Sequence, residues 1–150
     1  MTTQLTGRIR DNRTTSRTAL VGGILAAVGG TFHLTVAAAM RRDVWSQIAD
    51  DGLFDAISLN PTPDQLPTAE AFWFSPGSFG LPLALIGAMV IRSNRRGEPL
   101  PVWVGGGLTG WAAVIGYIGG PDAGATALLT IGSVLTAGSL ADRRLARSTV

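Results

Sequence analysis

Four apolar runs divide the chain, and charged residues close each of them. The first extends from Thr18 to Met40, between Arg17 and Arg41, with His33 as its only ionisable residue. The second extends from Ala71 to Ile91, between Glu70 and Arg92, and holds no charge. The third covers about 100–118, and the fourth about 123–140, ending at Asp142 and Arg143. A helix needs about 20 mostly apolar residues to cross roughly 30 Å of hydrocarbon. The runs therefore predict an all-α integral membrane four-helix bundle, one domain over 1–150 with tails at 1–17 and 141–150. Soluble core helices would keep a polar face toward water, and these runs leave none. Pro76 and Pro82 are expected to disturb the hydrogen-bond ladder of the second span. Gly119-Gly120-Pro121-Asp122 predicts a tight turn with Pro at the start of the next helix. Asp122 then falls in the first turn, where the helix dipole favours an anion.

The long connection, residues 41–70, mixes Val44, Trp45, Ile48, Phe54 and Ile57 with Asp43, Asp50, Asp51 and Asp55. Val44, Trp45 and Ile48 share a helical face, and so do Phe54 and Ile57. A short amphipathic helix, interrupted near Gly52, is expected there. It would lie on the membrane surface or cap the bundle, with Trp45 at headgroup level.

Composition sharpens the class. Hydrophobic residues make up 46 % and charged residues 15 %, against about 25 % charged in ordinary soluble domains. All 12 basic residues are Arg. Arg8, Arg10, Arg13, Arg17, Arg92, Arg95, Arg96, Arg143, Arg144 and Arg147 share one side if both termini do, leaving only Arg41 and Arg42 opposite. The positive-inside rule then places both termini in the cytoplasm of a multi-pass plasma-membrane protein. The same clusters explain the basic balance without nucleic acid, which is not expected as a partner. With no Cys and one His, neither a disulfide nor a multi-His metal site can form within one chain, and no metal or cofactor is expected.

Small residues at helical spacing predict how the spans pack, because they let backbones approach in lipid. Gly22, Ala26, Gly29, Gly30 and His33 form one such face. Glu70, Trp73, Gly77, Gly80, Ala84 and Gly87 form a second, Gly106, Gly110, Ala113 and Tyr117 a third, and Thr126, Thr130, Ser133 and Ala137 a fourth. On this phasing His33, Glu70, Trp73 and Tyr117 face the interior of the outer half. They predict an outward-opening pocket of His33, Trp45, Glu70, Trp73, Tyr117 and Asp122, walled also by Phe72 and Phe74.

An ionisable group inside a membrane is costly and marks a functional hypothesis by default. A neutral His can equally join helices by hydrogen bonds. Three functions fit. One is a binding or accessory protein that holds a lipid, isoprenoid or other amphiphile, alone, as a homodimer or in a larger membrane complex. Another is a small enzyme on a lipid-like substrate, with His33 and Glu70 as catalytic acid and base. The last is a proton-coupled exporter. Small multidrug exporters have four short spans but carry a carboxylate in the first, which this chain lacks.

Gly30-Thr-Phe-His33, Trp45, Gly52 and the block Ala71-Phe-Trp-Phe-Ser-Pro-Gly-Ser-Phe-Gly-Leu-Pro82 carry a resemblance over roughly residues 18–140. The chain resembles a family of small uncharacterised actinobacterial membrane proteins with four predicted spans. The resemblance implies architecture and membrane location, and no activity.

The absence of Cys makes the topology directly testable. Single Cys residues at Asn12, Asn94 and Ala146 should react with a membrane-impermeant maleimide only after permeabilisation, and one at Asn60 should react in intact cells. Labelling of position 94 from outside would overturn the arrangement.

Overall fold

The computed structural model describes residues 16–54, 56–58, 60–120 and 122–148. Arg8, Arg10, Arg13, Asp55 and Pro121 of the sequence reading lie outside the described residues. Those described are helical, with no strand. The helices are α1 (Arg17–Met40), α2 (Arg42–Asp51), α3 (Leu66–Phe74), α4 (Gly80–Arg95), α5 (Val102–Gly119) and α6 (Ala123–Ser148). Among the described residues three helices are long and apolar enough to cross a membrane: α1, α5 and the Ala123–Arg144 part of α6.

Local chemistry sets the helix ends. The Ser16 hydroxyl accepts the Thr18 N–H at 3.0 Å and caps α1. The expected amphipathic helix is α2, which buries Ile48 and stops at Gly52, whose φ of 101° suits glycine. The second apolar run is not one helix. Residues preceding proline avoid the α conformation, and α3 ends one residue before Ser75-Pro76. Pro82, expected to disturb the ladder, instead sits in the first turn of α4, where its missing N–H has no helical partner to lose.

The break at 75–79 satisfies its own backbone. Ser75 and Gly77 donate their N–H groups to the Phe72 carbonyl at 3.1 and 2.9 Å. The Ser78 hydroxyl donates to the Ser75 carbonyl at 2.6 Å and accepts the Gly80 N–H at 3.2 Å. Backbone polar groups withdrawn from water require such pairing.

Glycines then bring the helices together. Gly30 lies against the backbone of Gly80 and Ala84, and Gly87 against that of Ala27 and Gly23. This antiparallel α1–α4 seam uses Gly80, Ala84 and Gly87 of the second small-residue face but only Gly30 of the first; Gly23 and Ala27 supply the rest of α1, and Gly22 turns to α6 instead. Gly138 and Gly22 seat α6 on Ala19 and α1 on Leu135, while Gly105 and Gly132 seat α5 and α6 on Thr136 and Thr109. The order across the bundle is therefore α4, α1, α6, α5. Among the described residues no Cα of α4 comes within 8 Å of one in α5. A core of Leu83, Val90, Val104, Leu108, Ile131 and Leu135 fills the middle.

The third and fourth small faces are corrected. A Cβ at Gly106 or Gly110 would meet nothing within 4 Å, and Ala113, Thr126, Thr130, Ser133 and Ala137 are exposed. Helix α5 packs instead through Gly105, Leu108 and Ala112, and α6 through Ala125, Ile131, Gly132, Leu135 and Gly138.

These environments predict opposite responses. Gly87→Leu drives a side chain into the α1 backbone and should cost at least the 1–3 kcal/mol typical of overpacking (an order-of-magnitude figure). Gly110→Ala should leave stability unchanged or raise it by up to about 1 kcal/mol through helix propensity. Thermal unfolding in detergent, followed by circular dichroism, compares the two.

Candidate functional site

At the end of the bundle opposite Ser16 and Asp142, the short α4 leaves α1 partly unpaired. Gly80 stands opposite Gly30, so Thr31–Met40 continues for about 15 Å beyond the start of α4. The space is closed by the 75–79 break, α3 and α2. A groove of about 170 Å³ remains, lined by Gly29 and His33 of α1, Phe79, Gly80 and Leu83, and by Gly124, Ala127, Leu128 and Ile131 of α6. His33 is the one ionisable residue on this apolar wall. Its imidazole lies beside Gly80, where a Cβ would come within 3.1 Å of the His33 Cδ2. The ring is exposed and has no hydrogen-bond partner among the described residues. Small residues at 29, 80, 124 and 127 give the groove its room.

A polar cap lies beside it. The Arg41 guanidinium pairs with the Glu70 carboxylate at 3.1 Å, and its Cζ stands 5.4 Å from the centre of the Phe74 ring. The Trp45 Nε1–H donates to the Ser75 hydroxyl at 3.3 Å, and that hydroxyl donates to the Ala71 carbonyl. Ser75 is buried. The pocket-forming break is thus tied to α2 through one indole, and α3, which precedes it, to the end of α1 through one ion pair. In the connecting loop, hydrogen bonds from Thr62 and from its own backbone hold the exposed Asp64 carboxyl below its ordinary range.

The six residues expected to converge do not form one pocket. His33 lines the groove, and Trp45 and Glu70 belong to the cap. Asp122 caps α6, its carboxylate accepting the Ala125 N–H at 2.6 Å. Trp73 is half exposed, edge-on to Phe72 with ring centres 5.1 Å apart. Tyr117 was expected to face inward, yet it is 91 % exposed, because it extends the α5 face that points away from α6. No hydrogen bond joins His33 to Glu70, whose carboxylate is engaged by Arg41. Among the described residues no three His, Cys, Asp or Glu side chains gather as a metal site.

Sequence reasoning missed Arg41, Ser75 and the α6 wall of the groove. The signal for Ser75 was the Ser-Pro-Gly-Ser string inside an apolar run, since Ser flanking Pro-Gly supplies local hydrogen bonds to a turn. It also missed a buried carboxylate at the opposite end. Asp142 is 1 % exposed and accepts the Ser16 N–H and the Leu100 N–H, the latter at 3.4 Å. The Asn94 amide donates to the Ser16 carbonyl at 3.2 Å. This clasp joins the start of α1, the approach to α5 and the end of α6.

The family match spans residues 16–142, from one partner of that clasp to the other. The chain belongs to DUF6463, a family of unknown function. No curated protein and no solved structure matches it. The groove and cap must therefore speak for this member of the family by their chemistry alone.

The two charged contacts should differ sharply in worth. Asp142→Ala strands two backbone donors in a buried site and should destabilise by about 2–5 kcal/mol. Glu70→Gln removes a half-exposed pair and should cost no more than about 1 kcal/mol. Unfolding in detergent at matched conditions measures both.

Proposed function

We propose that this is a multi-pass membrane protein that holds a lipid, isoprenoid or other amphiphile in the His33 groove, on the outer face of the plasma membrane. Its four spans would be α1, the broken α3–α4 segment, α5 and α6, with both termini in the cytoplasm. The observation that carries the reading is the His33 imidazole. Among the described residues it has no hydrogen-bond partner, and it stands at the edge of an otherwise apolar groove. Binding sites for amphiphiles combine an apolar wall with a few placed polar groups, and imidazole can donate to or accept from a hydroxyl, carbonyl or carboxyl head. The small side chains at Gly29, Gly80, Gly124 and Ala127 leave space for a chain. The Arg41–Glu70 pair and the Trp45–Ser75 bond hold the cap against the groove's rim. Acid–base catalysis by His33 and Glu70 has less support, because Arg41 already occupies Glu70.

His33 is the only His, so ¹⁵N-histidine labelling gives a single-site reporter. In detergent micelles, dodecanoic acid and farnesol should be titrated against the imidazole signals. Saturable shifts are expected with at least one of them, lost in Ala127→Trp, which fills the groove, and retained in Glu70→Gln. Unsaturable shifts with both amphiphiles, or saturation unchanged in Ala127→Trp, would overturn the reading.

A further inference from the structure

A second groove opens between α4 and α5, where their backbones stay apart. Ile86 and Met89 line one wall, and Trp103, Gly107, Leu108 and Trp111 the other, around a volume of about 340 Å³. Gly107 faces open space, and Trp103 is 75 % exposed. The groove is thus an apolar slot reaching toward the end of the bundle that carries both termini.

That end of the slot is basic. Arg92, Arg95 and Arg96 are exposed at the close of α4, where with Ala88 and Ile91 they line a depression of their own. Met89, Arg92 and Arg96 follow one another at i, i+3 and i+7, so the basic side chains continue the face that lines the slot. Among the described residues Arg92 and Arg95 have no acidic partner. Arg96 approaches Glu98 at 4.0 Å with both side chains more than half exposed, a contact of little worth. Indoles favour the headgroup level of a membrane, and Trp103 begins α5 beside this basic turn.

An apolar slot on a helix that ends in exposed guanidinium groups, only one of them loosely paired among the described residues, is complementary to one kind of occupant. We propose that the α4–α5 groove binds one anionic phospholipid, its acyl chain between Met89 and Trp111 and its phosphate on Arg92 and Arg96. The site is separate from the His33 groove and needs only that the helices lie in a bilayer. Arginine pairs with phosphate through two parallel N–H bonds, which separates this site from a mere juxtamembrane positive field.

The test uses the full chain in phosphatidylcholine vesicles containing either dibrominated phosphatidylglycerol or dibrominated phosphatidylcholine at equal mole fraction. Bromine quenches nearby tryptophan. The anionic lipid is expected to associate roughly tenfold more favourably, as two basic contacts allow, and Trp103→Phe/Trp111→Phe should remove that selective quenching. Arg92→Gln/Arg96→Gln should bring the preference near unity. Arg143→Gln/Arg144→Gln removes equal charge from the exposed end of α6 and should leave it intact. Equal quenching by both lipids in the unmodified chain overturns the proposal by itself. So does an equal loss in the two arginine variants, which would reduce the effect to a diffuse field.

Discussion

The architecture depends on how closely α1 and α4 approach. For helices in lipid there would be little hydrophobic drive to associate, and dispersion across a close backbone contact would have to supply it. Gly23, Ala27 and Gly30 on one helix face Gly80, Ala84 and Gly87 on the other. The seam fixes register as well as distance. With Gly80 seated against Gly30, α4 starts well short of the end of α1. The resulting gap is filled by a turn, a short helix and a surface helix. His33 lies one turn beyond Gly30 and so falls beside the break. The groove is thus a consequence of register, created where one helix outlasts its partner.

The opposite end is constructed differently. There a carboxylate, Asp142, is withdrawn from solvent and surrounded by backbone donors from two distant segments. A buried carboxylate without donors would be costly. Satisfied in this way, it links the α1–α4 pair to the α5–α6 pair at the point where the chain enters and leaves the bundle. The cap at the His33 end relies on more exposed contacts, the Arg41–Glu70 pair and a single indole bond. The bundle is clasped at its basic end and more loosely closed at its loop end.

Much of the helical layout was legible from run length and charge. Long apolar runs marked α1, α5 and α6, and the Asp-rich connection contained α2. The phase of α5 and α6 was not legible, for a physical reason. A helix facing lipid on one side and protein on the other is apolar on both, so periodicity loses its contrast. In α5 the string Gly105-Gly106-Gly107 offers three small faces a residue apart, and only Thr136 on α6 decides that Gly105 is the buried one. Choosing the neighbouring phase carried Tyr117 inward with it. The α1 face was readable only in part: Gly30 meets α4 as read, but the adjacent glycines Gly22 and Gly23 divide between α6 and α4. The paired prolines of the second run were ambiguous. Pro76 ends a helix and Pro82 begins one, and only the Ser and Gly between them distinguish the two roles.

Phe79 joins the two halves of the argument. It is the residue between the break and α4, and it lines both the His33 groove and the α4–α5 groove. Its ring centre stands 4.3 Å from that of Trp111 at an angle of 41°, close enough for the rings to be in direct contact. No α4–α5 backbone contact supports this position, so the partition between the grooves is made of side chains. Its ring is anchored on one side by Trp111 and on the other by a chain segment that Ser75 and Ser78 hold through hydroxyl bonds. A shift of that segment would change the shape of both grooves at once. The Ser-Pro-Gly-Ser break therefore does more than interrupt an apolar run. It places one aromatic ring between the imidazole groove and the aromatic slot.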